Sequence, residues 1–246
     1  MKPKTLAIIP ARYDSRRFPG KPLAVISGKT LLEHLYTEIS KSKLIDRVVV
    51  ATDSDRIVSA VNNFGGESLL TSKKHRTGSD RSAEVMSKLG GDIIISVQAD
   101  HVGLKRADYD RVLTAMFVDK TMEFATLVKK IDHEDQLFDS NRVKVILNSD
   151  KTALWFSRFP LPYLQGKNGK YLTHFKFFYH IGVYFFRRKS LNDYHRWPQG
   201  QMEMAESLEQ LRILENHRKI KVFETKSRIF SIDTPEDLAK LKNIVL

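Results

Sequence analysis

The chain has no cysteine among its 246 residues. Disulfides, thiolate metal sites and a cysteine nucleophile are therefore excluded. It also has no apolar run near the roughly 18–20 residues that span a bilayer. The first residues, MKPKTLAIIPAR, carry neither a long apolar core nor a small-residue cleavage site, so no signal peptide is expected. A cytoplasmic location without membrane insertion is the default expectation. Runs of five or six like charges are missing as well, although the formal net charge is +12. Scattered lysines such as Lys41, Lys43, Lys73, Lys74, Lys129 and Lys130 describe a solvated basic surface with local anion sites. No nucleic-acid motif accompanies them, so nucleic acid is not expected as a partner. The histidines show no H-x-x-x-H spacing, and neither repeats nor low-complexity segments occur.

What is present is an ordinary globular balance, 41% hydrophobic and 28% charged, enough to bury a core. The N-terminal half alternates apolar runs with helical patterns. Thr5–Pro10, Arg47–Thr52, Glu67–Leu70 and Asp92–Val97 read as strands. Leu31, Leu32, Leu35 and Ile39 recur at helical spacing behind a Thr30–Glu33 capping box. Ile57, Val58 and Val61 mark a second helix, and Ala83–Leu89 a third closed by Gly90-Gly91. The C-terminal half is more mixed. Strands are expected at Phe124–Ile131, Val143–Leu147, Ala153–Arg158, Lys176–Arg187, Ile220–Glu224 and Arg228–Ile232. A helix is expected over Glu203–Glu215, and another after Thr234 with Pro235 at its first position.

This pattern predicts an α/β fold: a Rossmann-like, mostly parallel sheet flanked by helices. One domain is expected over residues 1–246, with about 153–195 forming a smaller mixed β insertion. In such sheets the ligand lies beyond the carboxyl ends of the strands. Those positions hold Ala11-Arg12, Asp53 and Gln98-Ala99-Asp100.

Arg12–Lys21 (RYDSRRFPGK) joins a strand to a helix and gathers Arg12, Arg16, Arg17 and Lys21 around Gly20. Arginine forks and glycine-exposed backbone N–H groups bind phosphate oxygens, so the loop is read as a triphosphate grip; a plain exposed basic loop is the alternative. It is not a Walker loop, since Leu23 stands where the first glycine of G-x-x-x-x-G-K-T belongs. Asp100 follows a buried strand and Asp233 a short one. Together they suit Mg2+, which takes hard oxygen ligands, while either alone also reads as a cap or turn residue. Arg76–Arg81 (RTGSDR) is a polar loop that could touch a base or ribose. His180 lies in an aromatic strand near Tyr184 and is open to a structural or a ligand role.

IPARYDSRRFPGKPL, VVVATD, HRTGSD, SVQAD, VKVIL, ALWFSR, HIGVY, SLEQLR and IDTPEDL stand in the order seen in CMP-Kdo synthetases. The chain resembles that family, the 3-deoxy-manno-octulosonate cytidylyltransferases, from about Leu6 to Leu241. The resemblance implies transfer of CMP from CTP to Kdo, an acidic eight-carbon sugar, for lipopolysaccharide synthesis. It places Ala11, Arg12, Ser15, Arg17, Gly20 and Lys21 on the triphosphate, with Gly78, Ser79 and Gln98 also toward the nucleotide. It makes Asp100 and Asp233 the Mg2+ ligands. It assigns Arg158, His180, Tyr184, Glu209 and Gln210 to the sugar, and it implies a homodimer through the aromatic-rich region. Two departures stand out. The family's Q-G-D-E-P is Gln98-Ala99-Asp100-His101-Val102 here, and its H-Q-S-G is His75-Arg76-Thr77-Gly78. An imidazole in place of a carboxylate beside the metal ligand makes His101 a further substrate-side candidate. It also opens the choice of sugar to a modified octulosonic acid such as the 8-amino form. A sialic-type acid sugar, or CTP binding without turnover, are the alternatives.

Overall fold

The computed structural model describes residues 2–14, 18–232 and 234–241. Its strands in chain order are β1 (Thr5–Ala11), β2 (Val25–Ile26), β3 (Lys29–Thr30), β4 (Arg47–Thr52), β5 (Ser68–Leu70), β6 (Ile93–Val97), β7 (His101–Val102), β8 (Phe124–Lys130), β9 (Lys144–Leu147), β10 (Ala153–Ser157), β11 (Phe178–Arg187), β12 (Ile220–Glu224) and β13 (Phe230–Ser231). The helices are α1 (Leu31–Ser40), α2 (Asp55–Asn63), α3 (Gly78–Leu89), α4 (Arg106–Val118), α5 (Glu134–Phe138), α6 (Tyr171–His174), α7 (Arg188–Arg196), α8 (Gln201–Glu206), α9 (Leu211–Glu215) and α10 (Pro235–Leu241).

Nine strands form the main sheet. Its path runs β10-β9-β11-β6-β1-β4-β5, with β8 added beside β11 and β12 beside β8. The half holding β6, β1, β4 and β5 is parallel, as the apolar runs of the N-terminal sequence require. All seven residues of β1 are buried, which a strand covered on both faces demands. Helices pack both faces, giving one apolar cluster around Ile9, Leu35 and Val112 and another around Ile8, Met86 and Leu191. No described helix is long and apolar enough to cross a membrane.

The sheet turns antiparallel at β11, which pairs with β6, β8 and β9. This corrects the expected insertion. Both β10 and β11 fall within residues 153–195, yet they belong to the main sheet. Glu203–Glu215 is likewise two helices rather than one, because Ser207 takes φ 52° and ends the first. The third helix begins at Gly78 rather than near Ala83. Thr77 caps it by accepting from the Asp80 amide at 3.1 Å.

Two features of the topology build the site. The parallel strands deliver their carboxyl ends, Ala11, Thr52 and Val97, to one rim. The β7–β13 ribbon then folds over that rim, with the Ile232 amide donating to the Asp100 carbonyl at 2.9 Å.

Candidate active site

Two cavities meet at the carboxyl rim of the parallel half. The first, about 270 Å3, is lined by Ala11, Arg12 and Lys21 from the loop after β1, Gly78 and Arg81 from α3, and Gln98 and Asp100 after β6. Its described cations are Arg12, Lys21, Arg76 and Arg81, against the carboxylates of Asp14 and Asp100. That balance suits a polyanion. The second cavity, about 570 Å3, is lined by His101, Arg158, His180, Tyr184, Glu209 and Gln210 among others. All six residues that the resemblance places on the sugar side thus line one cavity. Arg76, Thr77, Gly78, Gln98 and Asp100 line both cavities and form the seam between them.

The seam is built by close packing. A Cβ on Gly78 would overlap the Gln98 amide, and one on Gly182 would lie 3.1 Å from the Gln98 side chain. Gln98 is therefore held between two glycines, and its amide donates to Glu209 Oε1 at 3.0 Å. Glu209 Oε2 accepts from the Ser79 amide at 3.3 Å, so the carboxylate sits at the positive N-terminus of α3. Burial nevertheless pushes Glu209 above its usual range, against hydrogen bonds from Thr77 and Ser79.

Lys21 reaches across to the ribbon, donating to the Ile232 carbonyl at 2.9 Å. Arg12 donates to the His75 carbonyl. Asp100 keeps its side chain 36% exposed and accepts from His101 Nδ1 at 2.9 Å. Burial alone would raise the Asp100 carboxyl, but the charge and hydrogen bond of His101, joined by the charge of Lys21, hold it well below the usual carboxylate range. It stays ionised at any working pH.

Behind the second cavity, beside His180, the buried Thr126 hydroxyl donates to the Val183 carbonyl at 2.7 Å. Its oxygen must then accept from His180 Nε2–H at 2.8 Å. This fixes a neutral tautomer whose Nδ1 is an acceptor. Burial, reinforced by the nearby His101, drives His180 down to about 3. The unfolded chain takes up a proton near pH 6.5 that the folded chain refuses, so stability present above 6.5 is lost as pH falls toward 3. The expected slope is up to about 1.4 kcal/mol per pH unit. Urea titrations across that window should show the decline in the wild type and a shallower one in His180→Gln. Equal slopes would assign it elsewhere.

Tyr184 donates to Gln210 Oε1 at 3.0 Å, while Gln210 Nε2 is buried without a partner. An orphan donor of this kind costs about 1–3 kcal/mol unless a ligand supplies an acceptor. Arg158 is less free than its sequence position suggests. Its Nε donates to the Glu206 carbonyl at 2.8 Å and one terminal nitrogen to the Ser140 carbonyl at 3.0 Å.

Some assigned residues lie elsewhere. Ser79 serves Glu209 rather than the nucleotide cavity. Gly20, at φ 73°, closes a turn by donating to the Tyr13 carbonyl at 2.8 Å and is not in the cavity lining. Ser15, Arg17 and Asp233 lie outside the described residues. Arg81, the last residue of the RTGSDR loop, lines the first cavity, and Asn141 and Gln199, which belong to none of the sequence motifs, line the second. Arg81 is buried because it pairs with Asp53 at 2.9 Å, a residue the strand-end rule had already marked. Nothing in the local sequence marks Asn141.

Residues 6–220 match the family model described as cytidylyltransferase. A 3-deoxy-manno-octulosonate cytidylyltransferase of Parabacteroides distasonis is 43% identical over 244 residues, covering 96% of each chain. One of Thermodesulfovibrio yellowstonii is 42% identical over 95% of each. The solved structure of a CMP:2-keto-3-deoxy-manno-octonic acid synthetase complexed with CTP superposes with a TM-score of 0.89, at 37% identity over 97% of both chains. HddC from Yersinia pseudotuberculosis, at 16% identity and a TM-score of 0.66, shares the fold. With this match running through both cavities and the strands that carry them, the chain belongs to the cytidylyltransferase family of nucleotidyltransferases, among the 3-deoxy-manno-octulosonate cytidylyltransferases.

Proposed function

We propose that this chain transfers CMP from CTP to 3-deoxy-manno-octulosonate or a close octulosonic acid, releasing pyrophosphate. The observation that carries the reading is the seam: a cationic cavity and a polar, sugar-sized cavity share Gln98 and Asp100. Two substrates bound one in each would meet there. The anomeric hydroxyl of the sugar would attack the α-phosphorus of CTP in line, and positioning with charge neutralisation would dominate the rate.

Arg12 and Lys21 hold the phosphates and stabilise charge on the leaving pyrophosphate, with Ser15 and Arg17 contributing from the same loop. Arg158 retains N–H groups beyond its carbonyl contacts for the sugar carboxylate. His180 Nδ1 accepts from a sugar hydroxyl, and Gln210 Nε2 donates to a sugar oxygen.

Asp100 fits a Mg2+ ligand, being a partly exposed, ionised hard-oxygen donor on the seam. No group of three metal-binding side chains exists among the described residues. Mg2+ needs none, since it usually takes one or two carboxylates and completes its shell with phosphates and water. Asp233, next in the chain to Ile232, would be the second carboxylate. When bound, the ion would offset phosphate charge and lower the pKa of the attacking hydroxyl, so no dedicated side-chain base is required.

Phe159, Tyr163 and Phe175, exposed by 72%, 84% and 40%, support a homodimer through the segment between β10 and β11. Activation of the sugar for lipopolysaccharide, in the cytoplasm, is the cellular role this reading supports.

The test is pyrophosphate release from CTP and Mg2+ with a panel of acid sugars. Kdo or its 8-amino form should be turned over, and a sialic acid should not. Turnover of the sialic acid alone would overturn the proposal. Comparison with His101→Glu shows whether the imidazole beside Asp100 selects within the octulosonic acids. Lys21→Ala should lower kcat/KM for CTP by about tenfold or more, the size of a lost charged hydrogen bond. Unchanged kinetics across CTP concentrations would remove Lys21 from the phosphate grip.

A further inference from the structure

Lys144 is the first residue of β9, with 1% exposure. A buried ammonium in a strand is expensive, and an apolar residue would serve packing better. It stands opposite Ser157 on β10 and Tyr179 on β11, so it is enclosed on both sides. Its Nζ donates to the Asp139 carbonyl at 2.9 Å. That carbonyl also accepts from the Arg142 amide at 3.1 Å, which closes the turn over residues 139–142. The Asp139 carboxylate ties the same turn from inside by accepting from the Asn141 amide at 2.9 Å.

The turn carries two groups toward the second cavity. Asn141 lines it directly. The Ser140 carbonyl accepts from the Arg158 guanidinium at 3.0 Å. The opposite side of Arg158 is held by Glu206, whose carbonyl takes Nε at 2.8 Å and whose carboxylate takes the Arg158 amide at 2.9 Å. Arg158 therefore stands between two clamps. One is the C-terminus of α8; the other is a turn anchored on a buried lysine. Burial, joined by the like charge of Arg158, pulls Lys144 down to about 8, against the charges of Asp139 and Glu206, which favour the ammonium.

We propose that Lys144 is a positioning residue for the acidic substrate: by fixing the 139–142 turn, it sets the Ser140 carbonyl that aims Arg158 at the sugar carboxylate. This rests on the reading of the second cavity as the sugar site.

The test is steady-state kinetics of Lys144→Met with thermal denaturation of the same protein. The sugar KM should rise by roughly tenfold or more, the scale on which loosened supporting residues act. The CTP KM should stay as in the wild type. Thermal stability should hold or rise, because replacing a buried ion by an apolar residue of similar volume is often neutral or stabilising. In the Arg158→Ala background, Lys144→Met should add nothing to the sugar KM. An unchanged sugar KM, a parallel rise in CTP KM, or full additivity with Arg158→Ala would each overturn the proposal. Should the methionine variant not fold, Lys144→Gln is judged by the same three criteria. Failure of the wild type to use any octulosonic acid would instead overturn the sugar-site reading.

Discussion

Asp100→Asn should lower turnover by about 10²–10³-fold or more, with fold and CTP binding largely kept. The substitution preserves size and changes only charge and ligand character. The local backbone does not depend on the carboxylate, since the Ile232 amide is received by the Asp100 carbonyl. The side chain is 36% exposed, so the neutral amide strands no buried charge. What disappears is the anionic oxygen at the seam, where neutralisation of phosphate charge is needed. Pyrophosphate release and circular dichroism decide the matter together. Near-normal release from a folded variant would remove Asp100 from the chemistry. Because His101 and Lys21 keep this carboxyl ionised, an acid limb in the wild-type pH–rate profile should not report Asp100 itself.

Arg212→Ala should cost about 3–5 kcal/mol of stability, the usual loss when one member of a buried ion pair is removed. In a chain of this size that is roughly 6–20 °C in Tm. Arg212 and Glu203 are 2% and 3% exposed and meet through two hydrogen bonds, of 2.7 Å and 2.5 Å. The guanidinium also lies 4.3 Å from the Tyr194 ring centroid and 3.4 Å from Asp80 on α3. The pair thus fastens α8 and α9 to α3 and α7. α8 carries Glu206, which holds Arg158, and the turn between α8 and α9 carries Glu209, which accepts from the Ser79 amide at the start of α3, so activity should fall with stability. Removing both charges, as in Arg212→Met with Glu203→Leu, should cost less than Arg212→Ala alone. A double variant as unstable as the sum of the singles would refute the pairing energy, by calorimetry or urea titration.

The parallel half was legible because its signals are local. Continuous apolar strands, the Thr30–Glu33 box and strand-end polar residues each need only a few neighbours to be read. Asp53 and Asp100 were both found by the strand-end rule. The antiparallel half was harder. Whether β11 belongs to an insertion or to the main sheet depends on pairing with β6, more than eighty positions earlier in the chain, which periodicity cannot show. The early start of α3 was readable, since Thr77–Asp80 is a capping pattern, but Gly78 made RTGSDR look like a turn. The break at Ser207 was not, because leucine and glutamate on both sides favour helix; the buried Glu203–Arg212 pair and the Leu208 contact override that preference. The helix Arg106–Val118 went unread, although Tyr109, Val112, Leu113 and Met116 recur on one face. Among site residues, the sugar-side set followed from ordered motifs. Lys144 did not, because a lysine in a strand pattern reads as a solvent-facing position until burial is known.

The place of β11 between the two halves of the sheet also sets an order of assembly. Until Phe178–Arg187 is made, the outer side of β6 presents a row of unpaired N–H and C=O groups along the apolar run Ile93–Val97. A nascent chain ending before residue 178 holds most of the nucleotide cavity yet leaves that edge open. Such fragments should associate edge to edge, and β11 closes that edge when it pairs with β6.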